Sequence, residues 1–363
     1  KLTKISPKLK RPELRKLKRP LKRRPKAEEK VTEALSNVPR ITSDTVEEHR
    51  EAVLSSARKY IYPLQHSKHS VVRTSVSLLI AVIIIFFGAC GLALYKLQAT
   101  NGFIYGVTKV VPFPVAKTGS HWVSYESYLF ELRRNMHYYT TQQRADFSTP
   151  GGKSQLMRLK RQALNESVQA AYVKQLAKEH GVTVSSQAVN NEVALLRDQN
   201  RLGNSDRVLQ NVLSEFWGWS ENDFKRELKQ QLLQQAVVAK LDTGTNARAQ
   251  NALTQLEQGA DFGKLAAQVS DDASTKTNSG LYASPITADD RSLPPALTAE
   301  LTKLKPGQVS GTINTGYALE IVKVIDNTNG IIHAAHIQFR FQPITTYTNP
   351  LKAKEPIREY IKV

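Results

Sequence analysis

Few residues in this chain of 363 have the types and spacing that chemistry requires. The single cysteine, Cys90, sits inside an apolar run, so no internal disulfide can form and a cysteine-rich zinc site is excluded. No Ser-His-Asp order, phosphate-binding glycine loop, pair of glycosidase carboxylates or metal-ligand spacing stands out, and no cofactor is expected. His66, Lys68 and His69 read as a solvated turn beside the apolar run rather than as metal ligands. What remains is Asp272 in VSDDAS, His336 in IIHAAHIQF, and the pair Asp289 and Asp290. Taken alone, Asp272 reads as a loop cap, His336 as a histidine satisfied in a sheet, and Asp289 and Asp290 as turn residues. Leu281, Leu293 and Leu297 would be core residues in any fold.

The elements that position these residues begin with a charge-free stretch at 74–95, bracketed by Arg73 and Lys96. A bilayer core of about 30 Å needs roughly 20 apolar helical residues, which this run supplies. The rival reading is a signal peptide, but that has a shorter apolar core close to the start, whereas some seventy residues precede this run. A retained single-pass transmembrane helix is the expectation. Residues 1–26 carry thirteen Lys or Arg against one Glu, out of a net charge of +19 for the chain. The positive-inside rule keeps that side cytoplasmic and puts everything after Gln98 outside. Pro7, Pro12, Pro20 and Pro25 prevent a long helix there, so residues 1–70 read as a basic, largely disordered cytoplasmic tail with a short helix near 45–60. Anionic lipid headgroups are the expected partner of the tail, or none beyond its role in topology. Nucleic acid is disfavoured because no nucleic-acid-binding motif accompanies the charge.

Beyond the apolar run, residues 105–116 (YGVTKVVPFPVA) read as an extended edge strand or arm. Ser124 then opens one helix. Residues 155–180 form a long amphipathic one, with Leu159, Leu164, Val168, Tyr172 and Leu176 at three-and-four spacing and Gly181 as its stop. Ser185 or Ser186 caps the next helix, and Ser220 with Asp223 opens another. Residues 242–246 (DTGTN) read as a linker.

The stretches ALNESVQAAYVKQLAKEHGVTVSSQAVNNEV and FWGWSENDFKRELKQQLLQQAVVAKL resemble the N-terminal chaperone domain of the SurA and PrsA foldases. From Ala247 the chain resembles a parvulin-type (PpiC) peptidyl-prolyl isomerase domain. The matching cues are GADFGKLA, Ser270-Asp271, LKPGQVS, and Gly316-Tyr317 before an apolar strand. The resemblance implies a proline cup at Leu281, Leu293 and Leu297, with Leu293 in place of the usual Met and Leu297 in place of the usual Phe. It sets Asp272 where the family has Cys or Asp. Two departures stand out. Ala318 occupies the position of the family's last-strand histidine, and no first strand precedes residue 247. IIHAAHIQFRF resembles that strand, with His336 in its expected place, and it follows the hairpin signal NTNG. Circular permutation, or a second domain that opens at residue 331, would each account for this.

The expected architecture is a transmembrane helix at 74–95, an all-α SurA-like domain at 104–242, an α+β parvulin-like domain with a small antiparallel sheet at 247–341, and a C-terminal tail at 342–363. The expected function is that of a membrane-anchored extracytoplasmic foldase acting on unfolded or extended secreted polypeptides. The alternatives are a catalytically inactive chaperone and an envelope scaffold, both of which only bind polypeptides. Asp272 and His336 are the candidate catalytic residues.

Overall fold

The computed structural model describes residues 42–61, 64–119, 121–203 and 205–363. The basic stretch at 1–26 and the side chains of His66 and Lys68 lie outside them. The chain divides into a unit through Ile85 and a unit from Phe86 to Val363. In the first, α1 (Ser43–Ile61) is exposed and starts two residues earlier than the sequence suggests. Helix α2 (Leu64–Gly91) follows and continues as a π-helical turn over Leu92–Lys96. Among the described residues, His69–Lys96 is the one helical stretch long and apolar enough to cross a membrane, with a hydropathy of 2.8.

In the second unit, α3 (Gly102–Val110) occupies most of the segment expected to be extended. The Asn101 side chain accepts from the Ile104 N–H at 2.9 Å, and this cap overrides the strand preference of the β-branched residues that follow. Only β1 (Pro114–Thr118) is extended; it pairs antiparallel with β2 (His121–Ser124). Each of the next five helices is capped by a hydroxyl. Ser124 opens α4 (Tyr125–Thr141), Thr149 α5 (Pro150–Glu179), Ser185 α6 (Ser186–Asp198) and Ser205 α7 (Asp206–Trp217). Helix α8 (Glu221–Leu241) begins in a full capping box of Ser220 and Asp223. The core joins Tyr125, Tyr128 and Leu132 of α4 to Leu159, Leu164, Val168 and Tyr172 of α5 and to Val115 and Val123 of the strands.

Residues 242–246 are no linker. Asp242 ends α8 and caps α9 (Thr243–Glu257), accepting from the Thr245 N–H at 3.1 Å. Its other oxygen accepts from the Gln342 N–H at 2.8 Å. The chain therefore leaves and re-enters the helical domain at one buried carboxylate, and everything between is an insert. The insert holds α10 (Phe262–Val269), α11 (Ala273–Lys276), α12 (Pro295–Leu301) and a sheet of order β3 (Ile313–Asn314), β4 (Ala318–Thr328), β5 (Ile331–Arg340). Strands β4 and β5 form a long hairpin, and residues 280–286 run along the other edge of β5 through bridges at Ala335 and Ile332. Directly opposed residues share a face. Leu319, Ile321, Ile337 and Phe339 pack on Ala249, Ala252, Phe262 and Leu265 of α9 and α10. Val322, Val324 and Ala334 pack on Leu297 and Leu301 of α12. The second face also carries Glu320 opposite Gln338, and His336 opposite Val322.

Past the insert, residues 342–363 are not a tail. Helix α13 (Thr345–Lys354) lies on α5, where Gln169 donates to Thr348 at 3.0 Å. Strand β6 (Ile357–Glu359) then adds antiparallel to β1, and Ile361 is buried in the helical core. The helical domain is consequently not all-α: it carries a three-stranded sheet of order β2-β1-β6. Its third strand comes from the far side of the insert, a non-local pairing that no local sequence pattern announces.

Candidate active site

Asp272, Leu281, Leu293, Leu297 and His336 all line one cavity of about 340 Å³ in the insert. Each arrives from a different element. Asp272 follows the end of α10 and caps α11, accepting from the Ser274 N–H at 3.0 Å and the Ser274 hydroxyl at 2.7 Å. Its second oxygen accepts from the Thr275 hydroxyl at 3.0 Å and lies 2.9 Å from His336 Nε2. Asp272 is thus both the cap of α11 and part of the cavity lining. Burial works against its charge. The Ser274 and Thr275 hydrogen bonds and the neighbouring His336 outweigh that, and hold the carboxyl down to about 2.

His336 stands on β5, almost fully buried. Its Nε2 is 2.8 Å from the Thr275 hydroxyl, and its Nδ1 is 2.8 Å from Glu320 Oε2 on β4. Glu320 also accepts from Gln338 Nε2 at 3.2 Å. The ring thus lies between two carboxylates, one at each nitrogen, and Tyr282 stacks on its face with centroids 4.4 Å apart. Burial first, and Glu320 second, push the Tyr282 phenol well above its ordinary range. The close approach of residues 280–286 to β5 depends on Gly280. Its N–H and C=O flank the turn at φ +79°, its carbonyl accepts from the His336 N–H at 2.9 Å, and a Cβ there would lie 2.4 Å from the His336 carbonyl oxygen.

The apolar part of the lining is Leu293, Pro294 and Leu297, with Tyr317 also bordering the cavity; Leu281 reaches it from beside β5, where it packs on the α9 and α10 layer. Leu297 doubles as core beneath α12, while Leu281 and Leu293 are half-buried. Such a cavity can seat a small apolar ring against the leucines with its amide beside the Asp272, Thr275 and His336 groups. Asp289 and Asp290 do not line it; they make turn bonds to Thr287 and Ser292. Among the described residues no group of three or more His, Cys, Asp or Glu could hold a metal ion.

The sequence reading missed Thr275, Tyr282, Glu320 and Gln338. A signal existed for one of them. Glu320 is the one acid inside the apolar strand YALEIVKV, and a carboxylate within a buried strand needs a buried partner. A second concave surface lies on the helical domain, an apolar groove of about 580 Å³ bordered by Leu202, Val208, Val212, Trp217, Phe224 and Leu228.

Residues 64–238 match the family described as SurA-like N-terminal domain. Residues 232–326 match the PPIC-type PPIASE domain. The chaperone SurA of Thiobacillus denitrificans is 32% identical over 130 residues, covering 32% of this chain and 28% of that protein. The chain thus spans little more than a quarter of the length of this curated relative. The foldase PrsA of Streptococcus pneumoniae aligns at 19% identity over 65% of this chain and 83% of that one, with a TM-score of 0.18. By these matches the chain carries a SurA-like N-terminal domain followed by a PpiC-type peptidyl-prolyl isomerase domain, and it is distantly similar to the chaperone SurA.

Proposed function

We propose that this is a membrane-anchored extracytoplasmic foldase. Its helical domain holds unfolded or extended secreted polypeptides, and its insert isomerises their X–Pro bonds. The observation that carries the reading is the meeting of Asp272, His336 and the three leucines on one cavity. Rotation about the peptide bond faces a barrier of about 18–20 kcal/mol, because twisting removes amide resonance. Catalysis then requires only that the site bind the twisted amide better than the planar one. The leucines seat the proline ring, while Asp272, Thr275 and His336 meet the polar atoms of the twisted bond. The apolar groove beside Trp217 and Phe224 receives the surrounding chain.

We read the insert as a circularly permuted parvulin domain. Three observations support this. Helix α8 passes into α9 through Asp242 with no strand between, β5 carries His336 beside β4, and the family match ends at residue 326, ahead of β5. The apolar stretch at 74–95 is the anchor, with the basic segment at 1–26 on the cytoplasmic side against anionic lipid.

A binding-only chaperone is the second reading, and two observations favour it. Ala318 stands where the resemblance sets a second histidine, and both nitrogens of His336 are already engaged by carboxylates. The deciding experiment is a cis-to-trans assay of the full chain, in detergent, on a panel of X–Pro peptides, with Asp272→Ala and Leu293→Ala alongside. Catalysis that falls in both variants supports the isomerase. A folded chain inactive on every peptide, yet able to suppress aggregation of an unrelated client, establishes the binding-only reading.

A further inference from the structure

The wall of the proline cup is held from outside its own domain. Leu293 and Pro294 lie on the stretch that leads into α12 and Leu297 lies in its first turn, and α12 starts without a side-chain cap. Four carbonyls of this stretch are instead met by the turn after α6 in the helical domain. Arg201 donates to the Asp290 and Leu293 carbonyls, each at 2.6 Å, and to the Arg291 carbonyl at 3.4 Å. Gln199, itself buried, donates to the Pro295 carbonyl at 2.7 Å, and its own carbonyl oxygen fixes Arg201 through Nε at 2.8 Å. Arg291 returns a bond to the Asn200 carbonyl at 2.8 Å.

We propose that Arg201 is a positioning residue for the isomerase cup, so that the helical domain sets the shape of the site in the insert. Within the insert, the stretch is tethered by short turn bonds, among them Ser292 N–H to Asp290 at 2.7 Å and Asp290 N–H to the Thr287 carbonyl at 3.1 Å. Those bonds fix the turn on itself; Ile286 on β5 and Leu297 on the sheet anchor its two ends, and the Asp290–Leu293 segment between them is met by Arg201. A guanidinium suits the task because its planar fork reaches several carbonyls at once without rearrangement. Lysine, with one ammonium, can meet only some of them. The same guanidinium borders the apolar groove beside Leu202 and Phe224, so a chain lying in that groove touches the side chain that holds the cup.

The catalytic part of this inference rests on the isomerase reading; the mechanical part does not, and the test separates them. Hydrogen exchange and X–Pro peptide kinetics are measured on the full chain in detergent as wild type, Arg201→Ala and Arg201→Lys. In Arg201→Ala, exchange at the Leu297 and Thr298 amides, both bonded to the Pro294 carbonyl, rises about tenfold, the loss of one charge-assisted hydrogen bond. Exchange in α5 and in the β4–β5 hairpin stays as in the wild type. KM rises about fivefold or more while kcat changes less than about twofold, because the displaced wall weakens ring seating rather than the polar groups. Arg201→Lys falls between. Unchanged exchange around α12 in Arg201→Ala overturns the proposal, and so does an equal loss of protection throughout the insert, which marks general destabilisation. If the wild type shows no catalysis, the isomerase reading fails, and the exchange data alone decide whether Arg201 positions this stretch.

Discussion

Replacing Glu131 by glutamine should stabilise the helical domain at pH 8 and change it little at pH 5. Glu131 is on α4, only 5% exposed, and paired with Arg134 at 2.9 Å. Burial, reinforced by the nearby Glu227 and Glu166 carboxylates and opposed by Arg134, pushes its carboxyl up to about 7. The ordinary value is 4.5. Between those values the folded state binds a proton that the unfolded state has released. The favourable contribution is therefore complete below about pH 4.5 and is lost as pH rises through about 7. The difference sets a ceiling of about 3 kcal/mol, and coupling to the other carboxylates reduces the expected gain to about 1–2 kcal/mol. Arg134 is not stranded by the change, since Glu166 remains at 3.2 Å and Glu227 at 4.0 Å. Urea denaturation followed by tryptophan fluorescence suits the test, because Trp219 stacks on Phe130 of the same helix and Arg134 lies over its ring. The wild type should lose stability from pH 5 to pH 8, and Glu131→Gln should lose much less. Parallel pH profiles for the two proteins would refute the reasoning.

Other outcomes follow from the same geometry. Glu320→Ala leaves His336 Nδ1 and Gln338 Nε2 without their buried acceptor, which should cost about 2–4 kcal/mol by thermal or denaturant unfolding and reduce any isomerase activity. Leu297→Ala should cost about 2–4 kcal/mol, because the side chain is fully buried beneath α12, and should raise KM for X–Pro peptides because it also lines the cup. Removing residues 356–363 takes away β6, the buried Ile361 and the Arg161–Glu359 ion pair; a loss of about 3–5 kcal/mol is expected in the helical domain, read as a lower urea midpoint.

Features written into short stretches of sequence were legible. The Ser220-Asp223 cap, the stripe of α5 and the Gly181 stop each depend on neighbours within one or two turns. Helix α3 was not, because one asparagine cap outweighed a run of strand-forming residues. Asp242 was misread because a D-T-G-T-N sequence resembles a linker, and its role depends on Gln342, a hundred positions away. Of the site, Asp272, His336 and the leucines came through family resemblance. Glu320, Thr275 and Tyr282 become visible only once β4, β5 and residues 280–286 lie side by side, since their partners are distant in sequence. Arg201 shows no sign at all in one dimension, as its targets are backbone carbonyls, which any residue type supplies.

The strand order β2-β1-β6 also imposes a schedule on biosynthesis. A ribosome releases β1 and β2 well before β6, with the whole insert between them. The insert has its own hairpin and its own two apolar layers, and can close around them while the earlier strands still lack their third member. The domain that is begun first is therefore finished last. Until then the edge of β1 is open, a ready template for strand addition by another chain. A protein proposed to shelter unfinished polypeptides thus passes through such an unfinished state itself.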